Sequence, residues 1–288
     1  MGAARGLPAL SRMTDVSRAV ILARGLGSRM RRGDTSASLN DEQARVASAG
    51  VKGLIPVGTR AGRPFLDYVL SALADAGIRE VCLVIGPEHT ELRDYFEGPG
   101  QPRRLRVCFA IQQDARGTAD AVLAAEEFAA GEDVLVLNSD NYYPPAAYRL
   151  LRDAEGAALP GFDRDALFKR SNIDPERIRS FALLDMSPEG ELRDIVEKPD
   201  ARTFERMGPH ALVSMNLWRL PREIYHACRQ VHPSARGELE LPDAVRYAIR
   251  EMRVPFHVLP IAEGVLDLSS RADVAAVSDA LASVIPDP

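Results

Sequence analysis

Two glycines stand two residues apart directly after an apolar run: Ala19 to Leu22 leads into Leu22-Ala-Arg-Gly-Leu-Gly-Ser-Arg-Met30. Glycine lets the backbone come close to a ligand, its N–H groups can cradle phosphate oxygens, and Arg29 adds a planar positive fork. Met30 fills the third glycine position of a dinucleotide fingerprint, and no lysine follows as in a Walker A loop, so neither motif is present. Taken alone, Gly25 and Gly27 read as an ordinary turn. A second lead is Asp140, which follows four apolar residues, Val134 to Leu137, and the pair Asn138-Ser139, with no helix pattern starting at once. That position, just past a strand end, is where ligands of open α/β sheets collect. The alternative is an aspartate that caps a turn.

The elements that must position these groups follow from the apolar pattern. Runs rich in Val, Ile and Leu at Ala19 to Leu22, Val81 to Ile85, Leu105 to Ile111 and Val134 to Leu137 predict strands. Between them, Phe65, Val69 and Leu73, and then Ala119, Val122 and Ala125, each give a helix one apolar face to lay on a sheet. The result is a layered αβα core from about residue 19 to about 150 with a mainly parallel sheet. Beyond residue 150 the rhythm changes. Phe181 to Met186, the turn Ser187-Pro-Glu-Gly190 and Leu192 to Val196 predict a β-hairpin, which makes the sheet structure mixed. The polar stretch from Arg31 to Gly50 reads as a mobile loop containing a short helix.

Composition narrows the function. With 288 residues, 46% hydrophobic and 27% charged, the chain can bury a sizeable core. A net charge of −5 offers no basic field for nucleic acid, so an anionic ligand has to be held by a local cluster of Arg and Lys. Cys82, Cys108 and Cys228 form no CxxC pair, which argues against a zinc site or a disulfide framework and suits a reducing, cytoplasmic setting. Residues 1–18 read as a loose leader without the apolar core of a signal peptide, and no uncharged apolar run reaches membrane-spanning length. A soluble chain with no membrane partner is expected, and homo-oligomerisation stays open.

Several segments together resemble one family in one order. Leu22-Ala-Arg-Gly-Leu-Gly-Ser-Arg-Met30 is similar to the LAGGxGTRL signature of the sugar-1-phosphate nucleotidyltransferases. Val51-Lys-Gly-Leu-Ile-Pro-Val-Gly58 with Arg63-Pro-Phe-Leu66 resembles KPxLPVxxKPxL, Gln112 with Gly117-Thr-Ala-Asp-Ala-Val122 resembles Q…GTAxAV, and Val136-Leu-Asn-Ser-Asp-Asn141 resembles VLxGDN. Glu197-Lys-Pro199 matches EKP in full. Val213 to Trp218, Gly237 to Asp243 and Val265 to Ser270 resemble the ASMGIY, GExEITD and WxDxGT segments. Single motifs of this kind arise by chance, but their shared order does not readily do so.

The resemblance implies a Rossmann-like αβα nucleotidyltransferase fold. Residues 19–288 would form one domain, with a nucleotide half over about 19–150 and a sugar-phosphate half over about 151–275. It also implies a reaction in which the sugar phosphate attacks the α-phosphorus of an NTP in line and pyrophosphate leaves, chemistry that needs positioning and charge neutralisation rather than a protein nucleophile. In that scheme the catalytic residues are Arg29, Lys52, Asp140 and Lys198. Leu22, Ala23, Gly25, Gly27, Ser28, Gln112, Gly117 and Thr118 hold the nucleotide, with Gln112 reading the base. Asn141, Glu197, Lys198, Ser214 and Asn216 hold the sugar phosphate, and Asp140 with Asp267 holds one Mg2+. Met215 and Trp218 read as core.

The sequence also departs from the family pattern. Arg24, Ser269 and Asn216 stand where the family has small residues or glycine, Val265 replaces a tryptophan, and the stretch between Arg29 and Lys52 is long. Sugar and base therefore stay open, with a hexose 1-phosphate expected. The departures keep alive a non-catalytic nucleotide-sugar sensor. A cytidylyltransferase acting on a non-sugar phosphate shares the first motif, whereas an NAD-linked oxidoreductase lacks the third glycine and the acidic residue it needs.

Overall fold

The computed structural model of the chain describes residues 16–288 apart from 26, 33–36, 38, 59–61 and 209. The leader reading falls mostly outside these residues. Its last three positions belong to the fold: Val16 is buried, and Arg18 opens the first strand with its guanidinium paired to Glu80.

The chain runs through β1 (Arg18–Leu22), α1 (Ser28–Arg31), α2 (Asp41–Ala49), β2 (Pro56–Val57), β3 (Arg63–Pro64), α3 (Phe65–Asp75), β4 (Glu80–Ile85), α4 (Thr90–Glu97) and β5 (Arg106–Ile111). It continues through α5 (Thr118–Ala124), α6 (Glu126–Ala129), β6 (Val134–Asn138), β7 (Asn141–Tyr142), α7 (Pro145–Arg152), β8 (Ala157–Phe162), α8 (Arg164–Arg170) and α9 (Pro175–Arg179). The remainder is β9 (Leu183–Met186), β10 (Leu192–Val196), α10 (Ala201–Met207), β11 (Leu217–Leu220), α11 (Glu223–Gln230), α12 (Leu241–Arg250), β12 (Phe256–Ile261), β13 (Leu266–Asp267) and α13 (Asp273–Ala280).

Seven strands form one sheet in the order β12-β8-β11-β6-β1-β4-β5. The pairs β6–β1, β1–β4, β4–β5 and β8–β12 are parallel, and only β11 runs against its neighbours. The mixed, mainly parallel sheet is therefore as expected. Alternate residues of one strand serve opposite cores: Ala19 and Ile21 lie in one buried cluster, Val20 in the other. The first cluster takes in α3 and α7; the second takes in α5, α11 and α12, which gives the αβα layering.

The change of rhythm after residue 150 is local rather than the start of a separate sheet. The hairpin of β9 and β10 forms as predicted, but β8, β11 and β12 return to the main sheet. Pro160 and Gly161 hide β8 in the sequence, since proline inside a strand argues against a central position. The structure accommodates Pro160 at a gap. β11 pairs with β8 at Ala158–Arg219, the next contact on that side is the Phe162–Val213 bridge, and by the two-residue alternation the missing N–H of Pro160 falls between them.

At the edge formed by the strand ends, Leu22 of β1 pairs with Asn138 of β6, and the N–H of Ser139 reaches Leu22 O at 3.3 Å. The glycine loop and Asp140 thus emerge side by side. Because β4 and β6 flank β1 on opposite sides, this is also where the sheet's winding reverses, the place where open α/β sheets leave a crevice. The short β7–β13 pairing sets Asn141 opposite Asp267, with Leu268 N–H on Asp140 O at 2.8 Å.

Candidate functional site

Two adjoining cavities open at this edge, of about 400 and 380 Å3, and both walls include Leu22, Thr118, Asn138 and Glu238. The first holds nine residues expected on the nucleotide side or in catalysis: Leu22, Ala23, Gly25, Ser28, Lys52, Gln112, Gly117, Thr118 and Asp140. The second holds Glu197, Lys198, Ser214 and Asn216.

The glycine loop has steric reasons for its composition. Gly27 sits at φ 58°, and a Cβ there would lie 2.3 Å from Gly50 O. A backbone approach this close excludes any side chain. Gly50 itself ends α2 at φ 82°, and the same helix begins with a reciprocal capping pair in which Asn40 and Gln43 each bond the other's backbone N–H. The short helix expected between Arg31 and Gly50 is therefore present; residues 33–36 and 38 of that stretch lie outside the described residues.

Arg24 borders the first cavity, and its guanidinium is committed to protein partners. Its Nη1 meets Glu88 Oε1 at 2.7 Å, and its Nε and Nη2 donate to the carbonyls of Gln112 and Gln113 at 3.0 and 3.3 Å. It ties the glycine loop to the end of β5. Arg29, by contrast, is exposed and lies outside the cavity wall. Met30 next to it is fully buried on α1, and one residue's rotation of about 100° turns Arg29 away from that packed face.

Lys52 places its Nζ 2.9 Å from Asp140 Oδ2, joining two predicted catalytic residues that are 88 positions apart in the chain. Gln112 is buried, and its Nε2 donates to Gly117 O at 3.0 Å and Asp120 Oδ2 at 2.8 Å. Both neighbours only accept, which fixes the orientation of the amide and leaves Oε1 for a ligand. Gly117, at φ 120°, brings the start of α5 against residue 239, where a Cβ would lie 2.4 Å from Leu239 O. Leu239 N–H bonds Arg116 O, Ala119 N–H bonds Leu239 O, and Leu241 N–H bonds Thr118 Oγ1. The Gly237 to Asp243 segment is stitched to the nucleotide loop by these bonds.

His89, which the sequence reading did not single out, also lines the first cavity and is 5% exposed. Its Nδ1 accepts the Gly86 N–H at 3.3 Å, so the neutral ring carries its proton on Nε2. Burial, the largest influence, holds its pKa below the ordinary imidazole value. A lone histidine between Glu88 and Thr90 carries no signal in sequence that separates it from a surface residue.

In the second cavity Lys198 and Asn216 adopt positive φ, 44° and 57°. Asparagine is the side chain that best tolerates this region after glycine, which explains why Asn216 can stand at a family glycine without moving the backbone. Although Glu197 is exposed as a residue, partial burial of its carboxyl, followed by repulsion from Glu240, raises its pKa. Burial also works to raise Glu240, but hydrogen bonds from Arg236 and Ser234 outweigh it and hold that carboxylate below its ordinary value. Arg236, Glu238, Glu240 and Asn138 join the walls without having been singled out; the first three lie in or beside the Gly237 to Asp243 segment. Trp218, read as core, is 1% exposed and also borders this cavity.

Asn141, expected on the sugar-phosphate side, does not line either of these cavities. It is buried, with Nδ2 on Asp267 Oδ1 at 3.4 Å and Oδ1 receiving Tyr143 Oη–H at 3.4 Å. Asp267 lies beside Asp140, as expected, but its carboxylate is bonded by Ser269 and Arg177 and is not in the wall of either cavity. Burial raises its pKa, the charge of Asp140 adds to that rise, and Ser269 and Arg177 oppose it. Among the described residues no group of three or more His, Cys, Asp or Glu side chains could hold a metal, and no helix is long and apolar enough to cross a membrane.

Known proteins resemble this chain in sequence and in fold. The "UTP--glucose-1-phosphate uridylyltransferase AglF" of Haloferax volcanii is 26% identical over 236 residues, 82% of this chain and 84% of that protein. The "Glucose-1-phosphate thymidylyltransferase" of Actinoplanes sp. is 28% identical over 261 residues, 89% of this chain and 75% of that protein. The "Low-salt glycan biosynthesis nucleotidyltransferase Agl11" of Haloferax volcanii is 25% identical over 81% of this chain, which spans only 57% of that relative's length. A crystal structure of UDP-glucose pyrophosphorylase complexed with UDP-glucose superimposes with a TM-score of 0.69 over 92% of this chain and 98% of that one, at 17% identity, a likeness of fold. The model of the nucleotidyl transferase family matches residues 45–273, which begins after the glycine loop but takes in Lys52, Gln112, Asp140, Lys198 and Asp267. With the strand-end crevice, the Lys52–Asp140 pair and a match over most of its length, the chain belongs to the nucleotidyl transferase family.

Proposed function

We propose that this chain transfers a nucleotidyl group from an NTP to a hexose 1-phosphate, giving an NDP-sugar and pyrophosphate. The observation that carries the reading is the pair of adjoining cavities with shared walls, one bordered by Lys52 and Asp140, the other by Glu197 and Lys198. An in-line displacement needs two phosphates held end to end, and the shared residues Leu22, Thr118 and Asn138 mark where they would meet. Lys52 neutralises charge that builds on the α-phosphate, and Lys198 holds the incoming sugar phosphate. Glu197 accepts from a sugar hydroxyl. The relatives named for uridylyl and thymidylyl transfer favour a pyrimidine NTP, and the remaining Oε1 of Gln112 can accept the N3–H of uracil or thymine, as it can an N–H of another base.

Asp140 fits a divalent cation: its carboxylate is one-quarter exposed, lines the cavity and sits at a strand end. Mg2+ held there would offset the negative charge of the phosphates, taking its other ligands from them and from water. The direct test is pyrophosphate release from a matrix of five NTPs against common sugar 1-phosphates with Mg2+. Release confined to a pyrimidine NTP with a hexose 1-phosphate is the expected result. No release with any pair, together with tight NDP-sugar binding, would identify a sensor instead.

A further inference from the structure

The two aspartates at the β7–β13 pairing are not equivalent. Asp140 opens on the cavity with one oxygen on Lys52. Asp267 is 4% exposed and both of its oxygens are taken: Oδ1 by Ser269 Oγ at 2.8 Å and Asn141 Nδ2 at 3.4 Å, Oδ2 by Arg177 Nη2 and Ser269 Oγ. The backbone of Asp267 is also pinned, because its N–H donates to Asn172 Oδ1 and its carbonyl accepts from Asn172 Nδ2, each at 2.8 Å.

Arg177 is built to stay where it is. It lies on α9, a short helix started by Pro175 and capped by Asp174, whose Oδ1 receives the Glu176 N–H at 2.8 Å, and anchored by the buried Ile178. Its guanidinium also approaches Ser269 Oγ at 3.4 Å and Asp273 at 3.9 Å. Two carboxylates placed together call for a cation between them. Here each already has its own, Lys52 for Asp140 and Arg177 for Asp267, so the assembly is charge-balanced before any metal arrives. Freeing Asp267 for coordination would cost its buried carboxylate the Arg177 and Ser269 contacts that now compensate its charge, a change that breaking such a pair makes unfavourable.

We infer that Asp140 is the protein's single ligand to the catalytic divalent cation, and that Arg177, a positioning residue, withholds Asp267 from it. Ser269, which replaces a family glycine, completes the enclosure by supplying the hydroxyl that Asp267 accepts. The cation then depends on the nucleotide's phosphates for most of its ligands and binds the nucleotide-free protein weakly. The inference rests on the nucleotidyltransferase reading for the presence of the cation and for its other ligands.

The test is Mn2+ binding to the full-length protein, read by electron paramagnetic resonance of free Mn2+, without nucleotide and with a non-hydrolysable pyrimidine NTP analogue. Asp140→Asn should weaken binding about tenfold or more. Arg177→Gln should release Asp267 and tighten binding about tenfold, through the loss of a nearby positive charge and the arrival of a second carboxylate. Arg177→Lys, which keeps the charge, should stay near wild type. The decisive variant is Arg177→Gln with Asp267→Asn, which removes the pair as a neutral unit and should return Mn2+ affinity to within about twofold of wild type. If that double variant, with an unchanged thermal transition by circular dichroism, loses Mn2+ as Asp140→Asn does, Asp267 is a ligand and the inference is wrong. Unaltered affinity in Arg177→Gln would equally overturn it. If Arg177→Gln does not fold, Asp267→Glu decides: a longer carboxylate that still pairs with Arg177 leaves Mn2+ affinity near wild type, whereas a metal ligand displaced by one methylene loses it. None of these readouts depends on product formation, so failure of the proposed reaction would show separately, as no NDP-sugar made by wild type.

Discussion

The nucleotide side and the sugar side of the cleft are built in different ways. On the nucleotide side the wall comes from segments that leave β1, β5 and β6, and its cations are committed to specific partners, Arg24 to Glu88 and two carbonyls, Lys52 to Asp140. On the sugar side the wall comes from the end of β10, the approach to β11 and the turn before α12, with Arg236 bonded to Glu240 and with Glu197, Glu238 and Lys198 beside them. The first is a frame of fixed backbone and paired charge suited to a polyphosphate. The second carries an excess of carboxylates, acceptors suited to sugar hydroxyls, around the cations a single phosphate needs. For the proposed reaction the difference implies that the two substrates would be handled by separable groups, so that damage to one side should leave the other's affinity intact.

The strongest way to break that comparison is to remove one lysine from each side. Lys52→Ala should lower kcat about 10²–10³-fold while leaving the KM for sugar 1-phosphate near wild type, because the interaction grows in the transition state. Lys198→Ala should instead raise the KM for the sugar phosphate about tenfold or more, the cost of one charge-assisted contact made in the ground state. Steady-state kinetics with each substrate varied in turn checks both. The same pattern from both variants would mean that the two cavities do not divide the labour as proposed.

How much of this was legible differs between the sides for the same reason. Gly25, Gln112 and Asp140 follow strands whose apolar runs are plain in the sequence, so the positions of β1, β5 and β6 carry the site with them. The direction of Arg29 is not legible, because its face on a four-residue helix depends on which neighbour is buried, and that neighbour is Met30. The direction of Asn141 is no more legible, because it lies next to Asp140 yet turns inward to Tyr143 and Asp267. On the sugar side, Arg236 and Glu240 act through tertiary contacts that no spacing announces, and Pro160 concealed the strand β8 that widens the sheet. Arg177 was invisible for the same reason: its partner is 90 positions away.

Glu197 offers a subtler probe of the sugar side. Its pKa is raised, chiefly by burial and then by Glu240, so its carboxylate form is lost on acidification sooner than an ordinary glutamate's. Wild-type kcat/KM for the sugar phosphate should therefore fall, relative to Glu197→Gln, as pH drops through that raised pKa. Taking the ratio of wild type to variant cancels the substrate's own phosphate titration. A ratio that does not change with pH would remove Glu197 from contact with the sugar.

Backbone strain gives a smaller effect. With Asn216 at φ 57°, Asn216→Ala should cost about 1 kcal/mol of stability from placing an ordinary side chain in the left-handed region. Asn216→Gly keeps the backbone at ease and should stay within about 0.5 kcal/mol of wild type, since glycine's extra freedom in the unfolded chain is its only penalty. Urea unfolding compares them. If Gly and Ala variants are equally stable, the backbone explanation for asparagine at a glycine position fails, and any change in sugar preference then belongs to the amide alone.

The smallest expected effect lies on the nucleotide wall, at His89, and it tests whether that wall is as fixed as the contrast requires. Burial lowers the pKa of His89 below its value in the unfolded chain, so between the two values the unfolded state binds the extra proton and the folded state does not. Stability from this residue is therefore fully present above the ordinary imidazole pKa and is lost as pH falls through that window towards the folded value. His89→Asn keeps an acceptor in reach of the Gly86 N–H, which now bonds Nδ1 at 3.3 Å, but has no proton to gain. Its urea midpoint should consequently drop less than wild type's between neutral pH and about pH 5, below the ordinary imidazole range. Saturating NTP in the wild type should also reduce the acid loss, because phosphate oxygens near Nε2 favour the protonated ring and raise its pKa in the complex. An acid loss of the same size in wild type and His89→Asn would show that His89 protonates without disturbing the fold, and the nucleotide wall would then be less fixed than the contrast requires.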